Sequence, residues 1–177
     1  GSGAGGGAAH LLGVEREVDV HVGTLSKAFG AHGGFVACSR RMRDLLVSRA
    51  RPCVYSTALP VPVVEAALAA LDVMEEEGHV LRERLARNIQ LLRKGLGLAP
   101  SRCNVPIIPI VLQTEQRALD ASAALLRQGL LVTAIRPPTV PRGTSRLRVA
   151  VSASHTEDDI ARLVEAVRAV LTSAPKL

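Results

Sequence analysis

Aromatic side chains are nearly missing from this chain, which has no tryptophan, one tyrosine and two phenylalanines in 177 residues. Stacking of bases on aromatic platforms is therefore a poor reading of its surface, although the formal charge is +6. The arginines are scattered over helix faces and loops, as on a solvated surface, so no nucleic-acid partner is expected. The net positive charge still favours a nucleotide-bearing substrate through its phosphates. Cysteine is scarce as well. Cys38, Cys53 and Cys103 are odd in number and form no Cys-x-x-Cys pair, so neither a disulfide framework nor a zinc site is indicated, and a reducing compartment is expected. No apolar run reaches the eighteen or so residues of a membrane span, and no basic-then-apolar leader opens the chain, so no membrane partner is expected. With 47% hydrophobic residues and so few rings, the core has to be built from Leu, Val and Ala.

Lysine is the most informative scarcity, with three lysines against nineteen arginines. Lys94 falls on a polar helix face and Lys176 near the C-terminus, where solvated ammonium groups belong. Lys27 differs. It lies in Gly23-Thr24-Leu25-Ser26-Lys27-Ala28-Phe29-Gly30, after the alternating run Val18-Asp19-Val20-His21-Val22, which predicts a strand ending at a small-residue turn. A lysine there faces a cleft, and its primary amine can form a Schiff base with a carbonyl cofactor. The histidines show no metal-like partner spacing, and none is assigned to catalysis.

Three segments extend this reading. Thr24 to Gly30 with Gly33-Gly34-Phe35-Val36-Ala37-Cys38-Ser39 resembles the lysine segment of the α-oxoamine synthases, pyridoxal-phosphate enzymes that join an amino acid to an acyl-CoA. The likeness continues at Tyr55-Ser56-Thr57-Ala58-Leu59-Pro60 and at Ala134-Ile135-Arg136-Pro137-Pro138-Thr139-Val140-Pro141 with Gly143-Thr144-Ser145-Arg146-Leu147-Arg148. The third segment is most similar to the members that condense pimeloyl-CoA with alanine.

This resemblance implies a cofactor, pyridoxal 5′-phosphate, held by Lys27, which would also move the Cα proton. It implies Thr24 as a hydroxyl for the cofactor phosphate, and Ser56 and Thr57 as phosphate contacts given across the interface of a homodimer. Each of these hydroxyls has a plainer use in satisfying turn amides. Arg148 resembles the arginine that takes the amino-acid carboxylate. Arg146, on the same side of a strand, could be a surface cation. Thr139 resembles the residue that meets the distal end of the acyl chain, and Arg136 is the candidate partner of the acyl carboxylate. The alternatives are another oxoamine synthase using glycine or serine, and a catalytically silent subunit or fragment. Only the C-terminal half of family members is matched. The aspartate that pairs with the pyridine nitrogen lies upstream in them, so this chain alone is expected to be inactive. Pro175-Lys176-Leu177 resembles a peroxisomal import tripeptide, so a peroxisomal or cytoplasmic location is expected.

The fold class implied is α/β: the C-terminal part of a transferase large domain with a doubly wound, mostly parallel sheet over residues 1–75, then a small α+β domain over 76–177. Gly1 to Gly7 reads as a loop. Predicted next are a strand over Gly34–Cys38, a helix over Arg40–Ala50 with Leu45, Leu46 and Val47 partly buried, a stop at Pro52, and an extended return over Val54–Thr57. Two bridging helices span Val63 to Leu96 with a break near Gly78. The remainder predicts strand Val105–Leu112, helix Thr114–Gln128, strands Leu131–Ile135 and Arg146–Ser152, and helix Thr156–Leu171, whose Thr156-Glu157-Asp158-Asp159 start fits an N-cap.

Overall fold

The computed structural model describes residues 7–100 and 105–173; the opening glycine run up to residue 6, Cys103 and Pro175-Lys176-Leu177 lie outside the described residues. The chain divides into two compact units, Gly1–Val80 and Leu81–Leu177.

In the first unit, helix α1 (Gly7–Leu12) and a 3-10 turn at Glu15–Glu17 precede strands β1 (Val20–Thr24) and β2 (Gly34–Cys38). These strands pair antiparallel from Val20↔Cys38 to Thr24↔Gly34. β1 thus runs two residues past the predicted end. Gly23 pairs with Phe35 in this ladder, and the ring lies so close over it that an added Cβ would stand 2.3 Å from Phe35. No described strand pair is parallel, because β2 returns through a short loop and a direct return yields only an antiparallel pair.

Helix α2 (Arg40–Arg49) starts at Ser39, whose hydroxyl accepts the Met42 amide at 3.3 Å. The extended return expected over Val54–Thr57 is instead helix α3 (Arg51–Tyr55), and only from Ser56 is the backbone extended. Pro52 sits in the first turn of α3, where its missing N–H costs nothing and its fixed φ suits a helix. Leu45 and Val47, expected to be partly buried, are exposed, and only Leu46 is half-buried. Helices α2, α3 and α4 (Val61–Glu76) contain no buried residue, so the apolar side chains of this unit are largely uncovered. No helix among the described residues is long and apolar enough to cross a membrane.

The second unit has a proper core. Helix α5 (Gly78–Gly95) leads to strand β3 (Ile107–Gln113), helix α6 (Glu115–Leu126), strands β4 (Thr133–Ile135) and β5 (Ser145–Ala150), and helix α7 (Glu157–Ser173). The sheet order is β3-β5-β4, antiparallel throughout. Alternation along β5 turns Ser145, Leu147 and Val149 inward. There Leu147 and Val149 join Ile89 and Leu92 of α5, Ile108 and Leu112 of β3, Ala121 and Leu125 of α6, and Ile160 and Val167 of α7. Helices on one side of an antiparallel sheet make this an α+β unit.

Two polar details fix its frame. Asn88, 4% exposed on α5, donates from Nδ2 to the carbonyls of Ser152 at 3.0 Å and His155 at 2.9 Å. At the start of α7, Thr156 and Asp159 form a reciprocal capping box: the Asp159 amide donates to Thr156 Oγ1 at 3.1 Å, and the Thr156 amide to Asp159 Oδ2 at 2.9 Å. That amide, followed by the Thr156 hydroxyl, holds the Asp159 carboxyl below its usual pKa.

Candidate active site

Lys27 sits in the loop between β1 and β2, at the carboxyl end of β1. Three backbone bonds shape the loop: Leu25 N–H to Gly33 O at 2.9 Å, Ala31 N–H to Leu25 O at 2.9 Å, and Gly30 N–H to Lys27 O at 3.0 Å. Glycine suits this loop at three positions. Gly30 and Gly33 have φ of 61° and 103°, and a Cβ on Gly34 would stand 2.8 Å from the Gly23 carbonyl oxygen. The Lys27 side chain is exposed in this unit, and among the described residues it has no ion-pair partner.

The Thr24 hydroxyl is already engaged locally. It shares a hydrogen bond with Ser26 Oγ at 2.8 Å and accepts the Ser26 amide at 3.2 Å, the turn-satisfying role that its residue type allows. Ser26 was not singled out from the sequence. Spacing was its signal, because a hydroxyl two residues after a threonine favours such a turn. Ser56 and Thr57 are exposed in the segment after α3, and Leu59 of that segment packs on the loop: a Cβ added to Gly33 would lie 2.8 Å from Leu59 Cδ1.

An accessible unpaired amine, with two hydroxyls and a backbone amide three residues or fewer away, is a donor set that fits pyridoxal phosphate. The amine suits its aldehyde, and the hydroxyl and amide donors suit its phosphate.

The other candidates belong to the second unit. Arg148 is exposed on the open face of the sheet, opposite Pro109 of β3 and Thr133 of β4. Arg146 shares that face, opposite Val111 and Ile135, and is half-buried. No acidic side chain stands beside either in the register, so this strand offers uncompensated positive charge to an anion. Arg136 and Thr139 lie together in the turn that joins β4 to β5, both exposed, with the Thr139 amide donating to the Arg136 carbonyl at 3.1 Å. Asn88 is a polar residue that sequence reasoning passed over. Its signal was an amide at a core position of the Leu85, Ile89, Leu92 pattern.

Residues 1–167 match the family described as aminotransferase class I and II. Two 8-amino-7-oxononanoate synthases illustrate the similarity: that of Anaeromyxobacter dehalogenans is 53% identical over 97% of this chain and 44% of its own length, and that of Arabidopsis thaliana is 44% identical over 94% and 34%. Among solved structures, Sphingomonas wittichii serine palmitoyltransferase superposes with TM-score 0.88 at 29% identity over 97% of this chain and 44% of its own. An 8-amino-7-oxononanoate synthase from Francisella tularensis gives 0.72 at 28% identity over 86% and 45%. The chain therefore spans less than half the length of these relatives, with the fold of the C-terminal part of a pyridoxal-phosphate-dependent transferase. The match over residues 1–167 shows that the chain belongs to the aminotransferase class I and II family.

Proposed function

We propose that this chain is the C-terminal part of a synthase that condenses L-alanine with pimeloyl-CoA to give 8-amino-7-oxononanoate, CO2 and free CoA. The observation that carries the proposal is the hairpin loop that exposes the Lys27 amine beside the Thr24 and Ser26 hydroxyls. Similarity to named 8-amino-7-oxononanoate synthases supports it. Pyridoxal phosphate, when bound, supplies an aldehyde that captures an amine and a conjugated ring that delocalises the electron pair left at Cα.

Lys27 Nζ would be the amine that holds this group and the base that takes the Cα proton of the amino acid. Thr24 and Ser26 would offer their hydroxyls to its phosphate. Ser56 and Thr57 add hydroxyls from the second copy of a homodimer. The uncovered Val61, Val64 and Leu68 of α4 support such an assembly. Arg148 holds the amino-acid carboxylate through its planar fork, while Arg136 and Thr139 meet the far end of the acyl chain. The chain by itself is silent, because the ring needs an acidic partner for its nitrogen.

A second reading, an oxoamine synthase acting on serine or glycine with another acyl-CoA, is favoured by one observation: the TM-score is higher for serine palmitoyltransferase than for the Francisella enzyme. One experiment separates the readings. The complete reading frame is assayed with alanine, serine and glycine against pimeloyl and fatty acyl thioesters, and the protein is then trapped with borohydride in the presence of pyridoxal phosphate. Turnover of alanine with the pimeloyl thioester and a pyridoxyl label on Lys27 are expected. A label elsewhere, or a preference for serine with long acyl chains, overturns the proposal.

A further inference from the structure

The two arginines of β5 share a face but not a situation. Arg148 is exposed, and among the described residues no hydrogen bond or ion pair engages its guanidinium. Arg146 is half-buried, and its Nε donates to the Thr144 carbonyl at 2.9 Å. Thr144 is itself bound twice to the Pro141 carbonyl, through its amide at 3.2 Å and its hydroxyl at 2.7 Å. Gly143, with φ of 77°, lets the chain reverse between them. At the other end of the same turn, the Thr139 amide closes on the Arg136 carbonyl at 3.1 Å.

The hydrogen bonds therefore run from a strand guanidinium into the proline-rich turn that carries both residues assigned to the acyl chain. A bond through Nε also fixes the plane of the guanidinium, which an ammonium group cannot do. Since Val111 and Ile135 flank Arg146, no carboxylate in the register competes for it.

We infer that Arg146 is a positioning residue: it clamps the Thr144 carbonyl and thereby sets the 136–144 turn for the distal end of the acyl substrate. Arg148 is then the one arginine of the strand left free for an anion. The roles of the turn rest on the function proposed above, whereas the clamp itself does not.

The test uses the complete enzyme, as wild type, Arg146→Gln and Arg146→Lys. Amide hydrogen exchange is read first, without substrate. In Arg146→Gln the Thr139 and Thr144 amides exchange about tenfold faster, the loss of one charge-assisted hydrogen bond, while the Leu147 and Val149 amides of β5 keep their rates. Arg146→Lys, which retains a cationic donor, falls between. Steady-state kinetics come second. KM for the acyl thioester rises about tenfold in Arg146→Gln, with KM for the amino acid and kcat within about twofold of wild type.

Unchanged Thr139 and Thr144 exchange overturns the inference, as does equal acceleration of Leu147 and Val149, which marks a role in the sheet alone. A rise confined to the amino-acid KM overturns it too, because Arg146 would then be a carboxylate ligand. If wild-type enzyme turns over no acyl thioester, the proposed function fails, and the exchange rates still decide whether the clamp exists.

Discussion

Replacing Asn88 by alanine tests whether one buried amide holds the second unit together. Its Nδ2 spans from α5 to two carbonyls of the β5–α7 connection, Ser152 and His155. Each such bond contributes about 0.5–1.5 kcal/mol net, and the amide leaves a small void at a site only 4% exposed. The bond to Ser152 is only partly buried, which keeps the total below the cost of stranding two fully buried acceptors. The expected loss is about 2–3 kcal/mol. The reporter should belong to the second unit, so the most protected β5 amides, Leu147 and Val149, are followed by hydrogen exchange. They should exchange roughly 30- to 150-fold faster in Asn88→Ala. Asn88→Asp keeps the shape but loses both donors and sets a carboxylate against two carbonyl oxygens. It should be worse than alanine at pH 7 and recover as the pH falls, because the protonated acid regains one donor. Exchange within threefold of wild type in Asn88→Ala would refute the reasoning.

Ser145→Ala should go the other way. Ser145 is 0% exposed and its hydroxyl has no partner among the described residues, so removing it should raise stability by about 1 kcal/mol, read as a higher urea midpoint with an unchanged slope. Gly95→Ala should destabilise by about 1–2 kcal/mol despite the better helix former, because the new Cβ would lie 2.6 Å from Val164 Cγ2; adding Val164→Ala should cost less in that background than in wild type. The depressed pKa of Asp159 means that its capping contribution is fully present above its unfolded value, near 3.8, and is lost as pH falls through the lower folded value. Thermal melts of wild type and Asp159→Asn should therefore differ at pH 5 and converge in strong acid.

Much of the layout was legible because its signals are local. Thr156 and Asp159 announce the start of α7, and strand alternation put Arg146 and Arg148 on one side of β5. The errors arose where local signals conflict. Pro52 was read as a stop, but a proline between two helices serves equally as the first turn of the next, which is how Arg51–Tyr55 becomes helical. Leu45 and Val47 were expected to be partly covered because apolar residues usually are, yet burial needs a facing layer, and no single-chain periodicity reports whether one is present. At the candidate site, the type and position of Lys27 were readable, whereas the bond from Arg146 to Thr144 was not, since it depends on the arginine rotamer.

The closed ladder of β1 and β2 also sets a sequence of events. Its outermost partners, Val20 and Cys38, are near neighbours along the chain, whereas β3 must wait for residues as remote as Ile107 and Ala150 to meet. A hairpin forms in microseconds, and distant strands pair more slowly. The amine-bearing loop therefore takes its shape early, yet a lone pair of strands barely persists in water. With Val22 left 79% exposed on that ladder, lasting order in the loop has to be lent by whatever later covers it.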